Sequence, residues 1–145
     1  MANTTYQEVF DAFLDKITDY EFAAYSAELQ EELLTSYMMS AIARFSRICR
    51  QDLTDRNEEL GEFNVTLTYE EIDVITAWME AEWLKQYMHD SDNLHNRINT
   101  SEFSSVSPAN MLASIKDSYE NTRRQALSLM NKYSYIHGDY KALKT

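Results

Sequence analysis

The sequence predicts an all-α protein, a single-domain bundle of four main helices with a long 51–67 connection and an extended C-terminal tail. Three observations carry that expectation. Helix breakers are scarce: Gly61, Gly138 and Pro108 are the only glycines and proline in 145 residues, against about 7% Gly and 5% Pro in average proteins. Sheet-rich folds need turn residues every few positions. The breakers also fall where helices want them. Pro108 follows Ser107, the N-cap-then-Pro order that opens a helix, and both glycines lie outside the periodic segments. Finally, apolar residues recur at spacings of three and four over long stretches. A chain of this length buries about 68–70% of its unfolded surface, enough for a core.

The first helix is expected from about Thr5 to Ile17. Thr5 with Glu8 three residues on is a capping box, and Val9, Phe10, Phe13, Leu14 and Ile17 share one face. The second is expected from Ser26 to about Arg50, about 36 Å at 1.5 Å per residue. Tyr37, Met38, Ala41, Phe45, Ile48 and Cys49 form its apolar face, with Arg44, Arg47 and Arg50 opposite. Three arginines in the last turns also suit the negative end of the helix dipole. Residues 51–67 read as a polar connection with apolar anchors at Leu53, Leu60, Phe63, Val65 and Leu67. Connections this long often carry function, and the alternation from Phe63 to Leu67 suits an extended strip lying on a neighbour. The third helix, 68–88, opens with a second capping box, Thr68 and Glu71, and carries both tryptophans. Its stripe is Ile72, Ile75, Met79 and Trp83. Residues 89–106 are polar and read as a short helix or packed loop. The fourth helix is expected over 108–132, with Leu112, Ile115, Tyr119, Thr122, Ala126, Leu129 and Tyr133 as a heptad-like seam. These elements make a helical domain over 1–132. Residues 133–145 form a docking tail rich in tyrosine, a residue type enriched in contact hot spots.

The net charge of −11 is unevenly distributed. Residues 1–32 carry eight acids and one base, and residues 52–92 twelve acids and two bases. Residues 33–51 carry three arginines and no acid, and residues 93–145 seven bases and four acids. Such a surface repels phosphates and argues against general nucleic-acid binding. The blocks either pair within one subunit or meet between subunits. No run of about 18 apolar residues is present to span a membrane. The N-terminus lacks the basic and apolar regions of a signal peptide, and a lone cysteine, Cys49, suits a reducing cytoplasm.

Tests for chemistry come out negative. The acids Asp90 and Asp92 resemble the start of a calcium loop, but His95 stands where the glycine is required and Ser101 where the glutamate is required. His89 and His95 are six apart, not the four that puts two imidazoles on one helix face. Cys49 reads as a buried small hydrophobe rather than a nucleophile. No Gly-rich phosphate loop, nucleophile elbow or CxxC occurs. Neither an enzyme, a metal nor a cofactor is expected.

A set of short motifs runs along nearly the whole chain: Phe10-x-x-Phe13-Leu14-x-x-Ile17-Thr18-Asp19-Tyr20, Ala41-Ile42-Ala43-x-Phe45, Asp52-Leu53-x-Asp55-Arg56, Leu67-Thr68-x-Glu70-Glu71-Ile72, Glu82-Trp83-Leu84, Ser107-x-Ala109-Asn110-x-Leu112 and Tyr133-Ser134-Tyr135-x-x-Gly138-Asp139. In these the chain resembles the head–tail connector or adaptor proteins of the neck of tailed bacteriophages infecting Gram-positive bacteria. The family pattern has a proline after Trp-Leu-Lys. Here Gln86 follows Lys85, which leaves the end of the third helix open. The resemblance implies a structural virion protein, assembled in the host cytoplasm as a homo-oligomeric ring, commonly of twelve, beneath the portal protein. It implies a stopper or tail-completion protein as the second partner, with DNA passing through the middle without specific binding. The portal contact would fall to Tyr133, Tyr135, Ile136 and Tyr140 of the tail, and the subunit or lower-ring contact to Arg44, Arg47, Arg50, Leu60, Phe63 and Val65. An alternative of another class is a small acidic protein that imitates DNA charge and binds a DNA-handling protein.

Overall fold

The chain starts its first helix on the expected capping box. The Thr5 hydroxyl accepts the Glu8 N–H at 3.1 Å and the Glu8 carboxylate accepts the Thr5 N–H at 3.1 Å, satisfying two of the orphan amides of the first turn. The computed structural model describes residues 2–17, 25–98 and 108–137. They form four helices, α1 (Tyr6–Leu14), α2 (Ala27–Phe45), α3 (Tyr69–Ile98) and α4 (Pro108–His137), and a two-stranded antiparallel hairpin, β1 (Arg56–Asn57) and β2 (Glu62–Phe63), between α2 and α3. The protein is all-α, as expected, with one small sheet.

The central element is α3, which packs against each of the other three helices. Val74, Ile75, Ala77, Trp78, Met79 and Ala81 are all buried along it. Both α2 and α4 run antiparallel to α3. Along α2 and the turn that follows it the sequence of contacts is Tyr37 to Gln86, Arg44 to Glu82 and Cys49 to Glu71, while the end of α4 reaches the start of α3, where His137 meets Glu70 at 3.0 Å. The core is completed by Val9, Phe10 and Phe13 of α1, Met38, Ala41 and Phe45 of α2, and Ala126, Met130 and Tyr133 of α4. Thr76, fully buried, donates its hydroxyl to the Ile72 carbonyl at 2.9 Å, so no polar cost is left there.

Several expected boundaries move. α1 ends at Leu14, and the chain turns at Asp15 and Lys16, the Lys16 N–H donating to the Phe13 carbonyl at 2.9 Å. α2 ends at Phe45, with Ile48 and Cys49 donating back to the Phe45 carbonyl. α3 runs ten residues beyond Met88, through the stretch expected as a loop or short helix. No Gly or Pro occurs between Gly61 and Pro108, so once α3 is nucleated nothing in residues 89–98 stops it. α4 likewise continues through Tyr133 and Tyr135 to His137, which moves the first five residues of the expected tail into the helical domain. Its buried positions are Ala126, Met130 and Tyr133. Leu129, expected in the seam, is 39% exposed and flanks it.

The 51–67 connection is organised on its own chain. Gly61 has φ 64°, a left-handed conformation that glycine adopts without strain, and its carbonyl accepts the Tyr6 N–H at 2.8 Å. Thr4 lies beside the hairpin. Its N–H donates to the Val65 carbonyl at 3.0 Å, its carbonyl accepts the Phe63 N–H at 2.9 Å, and its hydroxyl accepts the Leu67 N–H at 2.8 Å. Phe63 is fully buried, edge-on to Tyr6 at 5.2 Å.

Candidate assembly surfaces

One buried polar junction fixes the end of α4 on the domain. Glu71, the N3 residue of α3, accepts the Thr68 N–H at 2.8 Å with one carboxylate oxygen. With the other it accepts the Tyr133 hydroxyl at 2.7 Å and the Cys49 thiol at 3.4 Å. The Tyr133 hydroxyl in turn accepts the Arg50 N–H at 3.0 Å, and its ring stands edge-on to Phe45 at 5.0 Å. Four segments therefore meet at one phenol. Burial pushes the Tyr133 phenol well above its ordinary range. Burial also pushes the Cys49 thiol up to about 12, aided by the Glu71 charge. A thiol that keeps its proton at neutral pH is a poor nucleophile. Cys49 is half-buried at a polar junction, not the wholly apolar site expected for it.

The residues expected at the portal contact separate into three cases. Tyr133 is 2% exposed and belongs to the core, which removes it from any docking surface: its helical phase turns it onto α3, three residues after Met130. Tyr135 and Ile136 face outward, 73% and 53% exposed. Tyr140 lies outside the described residues. At the same end of the molecule Tyr69 is 90% exposed, adjoining the Glu70–His137 pair. Exposed apolar and aromatic side chains thus gather at the end of the α3–α4 pair, held by the Tyr133 junction. A cleft of about 450 Å³ opens beside them, lined by Arg50, Gln51, Thr68, Glu70 and His137.

The expected subunit-contact residues separate too. Phe63 is core, and Val65 packs against the core. Both belong to the chain's own fold, where the strip pairs edge-on with Thr4. Leu60, at the hairpin tip, is 69% exposed. Arg44 lies over the Trp78 ring at 4.7 Å and pairs with Glu82 at 2.9 Å, so its charge is engaged within the chain. Arg47 is exposed, and Arg50 is exposed with its backbone in the Tyr133 junction.

No family model matches this chain, and no curated protein or solved structure matches it either.

Two charged surfaces emerge only once the chain is folded. On one side, Glu28, Glu31 and Glu32 of α2 line an open groove with Thr35 and Met39, about 610 Å³ in volume. Glu31, Thr35 and Met39 also line an adjoining cleft of about 490 Å³ closed by Tyr6, Glu58, Glu59 and Leu60. Glu31 of α2 and Glu58 and Glu59 of the hairpin, far apart in sequence, thus line one acidic cleft together with Met39 and Leu60. On α4, Lys116, Asp117, Glu120, Arg123, Arg124 and Leu127 are all exposed, a surface of mixed charge. Among the described residues, no group of three or more His, Cys, Asp or Glu side chains could hold a metal ion, and no helix is long and apolar enough to cross a membrane. The side chains of His89, Asp90, Asp92 and His95 lie outside the described residues.

Proposed function

We propose that this chain is a structural assembly protein of a bacteriophage neck, a head–tail adaptor that forms a ring and joins the portal to the next neck component around the DNA. The observation that carries the reading is the exposed apolar end of the α3–α4 pair. Tyr69, Tyr135 and Ile136 stand out from a surface whose helices are pinned by Tyr133 to Glu71. Rigid aromatic side chains presented at one end cost little entropy to bury against a partner. The family-like motifs spread along the chain support the same reading.

The test is head joining. Because Tyr133 belongs to the core, removing residues 133–145 would unfold the end of the domain along with any contact. The informative variant is Tyr135→Ala with Ile136→Ser. It is expected to keep the wild-type circular dichroism and unfolding midpoint, and to fail to join portal-bearing heads to tails in an in vitro assembly reaction. Normal joining by a folded double variant would overturn the portal assignment.

The acidic groove favours one second reading, a DNA-charge mimic. It would be marked by salt-sensitive capture of a nuclease or repressor, with no ring.

A further inference from the structure

We propose that the cleft at the end of the α3–α4 pair receives a carboxylate side chain of the docking partner, held by Arg50 and Gln51, while apolar side chains beside that carboxylate cover Tyr69 and Ile136. This inference rests on the reading that this end of the molecule is a docking surface, and it names the chemistry of the segment that docks there.

The cleft draws its lining from three segments, the turn after α2, the start of α3 and the last turns of α4. Its acids are already engaged within the chain. Glu70 meets His137 at 3.0 Å. One oxygen of Glu71 accepts the Thr68 N–H, and the other accepts the Tyr133 hydroxyl and the Cys49 thiol. Asp52, next along from Gln51, accepts the Thr54 N–H at 3.0 Å.

The groups left over are donors. Arg50 is exposed, and its guanidinium pairs with no carboxylate among the described residues. The side-chain amide of Gln51 holds no hydrogen bond among them either. The backbone of Arg50 is fixed, because its N–H donates to the Tyr133 hydroxyl at 3.0 Å. The guanidinium is therefore presented from an anchored point, and its planar fork matches a carboxylate in both charge and shape.

The surroundings say what carries that carboxylate. Tyr69, between two lining residues of α3, is 90% exposed, and Ile136, beside His137, is 53% exposed. A free anion would leave both side chains wet, whereas a protein segment with an apolar residue next to its acid covers them. A polyphosphate fits poorly, since one uncommitted cation in the cleft stands against a net charge of −11. The volume, about 450 Å³, admits one side chain and its neighbours. The occupant is thus an acidic segment of the partner with apolar flanks.

The experiment is the joining reaction with portal-bearing heads, using the full chain carrying Arg50→Gln. The bond to Tyr133 comes from the backbone, so this variant is expected to keep the wild-type unfolding midpoint. Its joining at about 50 mM salt is expected to fall about tenfold, with the gap to wild type closing as salt rises. Arg50→Lys keeps the charge without the fork and is expected to recover part of the loss. Lys116→Gln, near the other end of α4, removes the same charge and is expected to join normally. Normal joining by folded Arg50→Gln overturns the carboxylate assignment. The docking reading then stands if the Tyr135 and Ile136 variant still fails to join, and falls if that variant joins too. An equal loss from Lys116→Gln overturns the assignment in favour of an effect of net charge. A lowered midpoint for Arg50→Gln that disappears once residues 139–145 are removed makes Asp139 of the same chain the occupant, and overturns the partner assignment. A wild type that joins nothing overturns both readings.

Discussion

Tyr133 does at the residue scale what no single apolar side chain would do. It fills the space beside Phe45 and, through one oxygen, ties α4 to the start of α3 and to the turn after α2. Tyr133→Phe keeps the ring and removes the oxygen. The Glu71 carboxylate then loses a donor at a position that is 2% exposed, and the Arg50 N–H loses its acceptor. Leaving buried polar groups unpaired costs about 1–3 kcal/mol, so the variant is expected to unfold at lower urea with an unchanged slope. A loss within about 0.5 kcal/mol, the range of ordinary surface changes, would mean that water replaces the phenol oxygen without penalty. Cys49 shares the junction and is not equivalent to Tyr133. Its thiol sits 3.4 Å from Glu71 and 4.0 Å from the phenol oxygen, at the outer edge of hydrogen bonding to sulfur.

At the scale of elements, helix starts carry local chemistry and helix ends do not. Thr5 with Glu8, Ser26, Thr68 with Glu71, and Pro108 each mark a helix start that the structure places within one residue of the expected one. A cap is a contact among four consecutive residues, so the sequence displays it. An end needs a stop signal, and a chain with two glycines offers few, which is why α3 and α4 both overrun. The hairpin was hidden for a related reason. Its strands are two residues long and lean on Thr4, about sixty residues away. The acidic groove was hidden too, because Glu28, Glu31 and Glu32 meet Glu58 and Glu59 only in the fold. What periodicity did show is the seam of α4, centred on Ala126, which is fully buried where α4 meets the core. A small residue there lets the helix backbone approach closely. Ala126→Leu adds three carbons to a filled site and should cost about 1–3 kcal/mol by overpacking. The adjacent change Leu127→Ala, at a side chain 39% exposed, should fall within about 0.5 kcal/mol. The pair reads the packed side of α4 directly in thermal unfolding. Equal effects would place the seam elsewhere.

For the whole molecule, the charge distribution sets two salt effects of opposite sign. A net charge of −11 repels itself within one subunit, and the acidic groove concentrates that repulsion where Glu28, Glu31 and Glu32 share a helix end with Glu58 and Glu59 nearby. Like charges that close destabilise the compact state, and the penalty is screened over about 10 Å at 0.1 M salt. The ion pairs that oppose it are few among the described residues, and Lys16–Asp73 and Arg56–Glu58 each have at least one partner well exposed, so their loss to screening is small. Salt should therefore raise the thermal stability of an isolated subunit. Contacts between oppositely charged faces of two subunits, as the proposed ring would need, respond in the other direction, because screening removes the attraction that aligns them. The measurement is a melting series from about 20 mM to about 500 mM salt on dilute protein, beside the same series at high protein concentration. The dilute midpoint is expected to climb steadily. If subunits assemble through opposite charges, the midpoint at high concentration is expected to climb less or to fall, since salt then releases subunits that mass action had stabilised. Parallel climbs in both would show that subunit contacts contribute nothing electrostatic, and that the charge blocks act only on the chain that carries them.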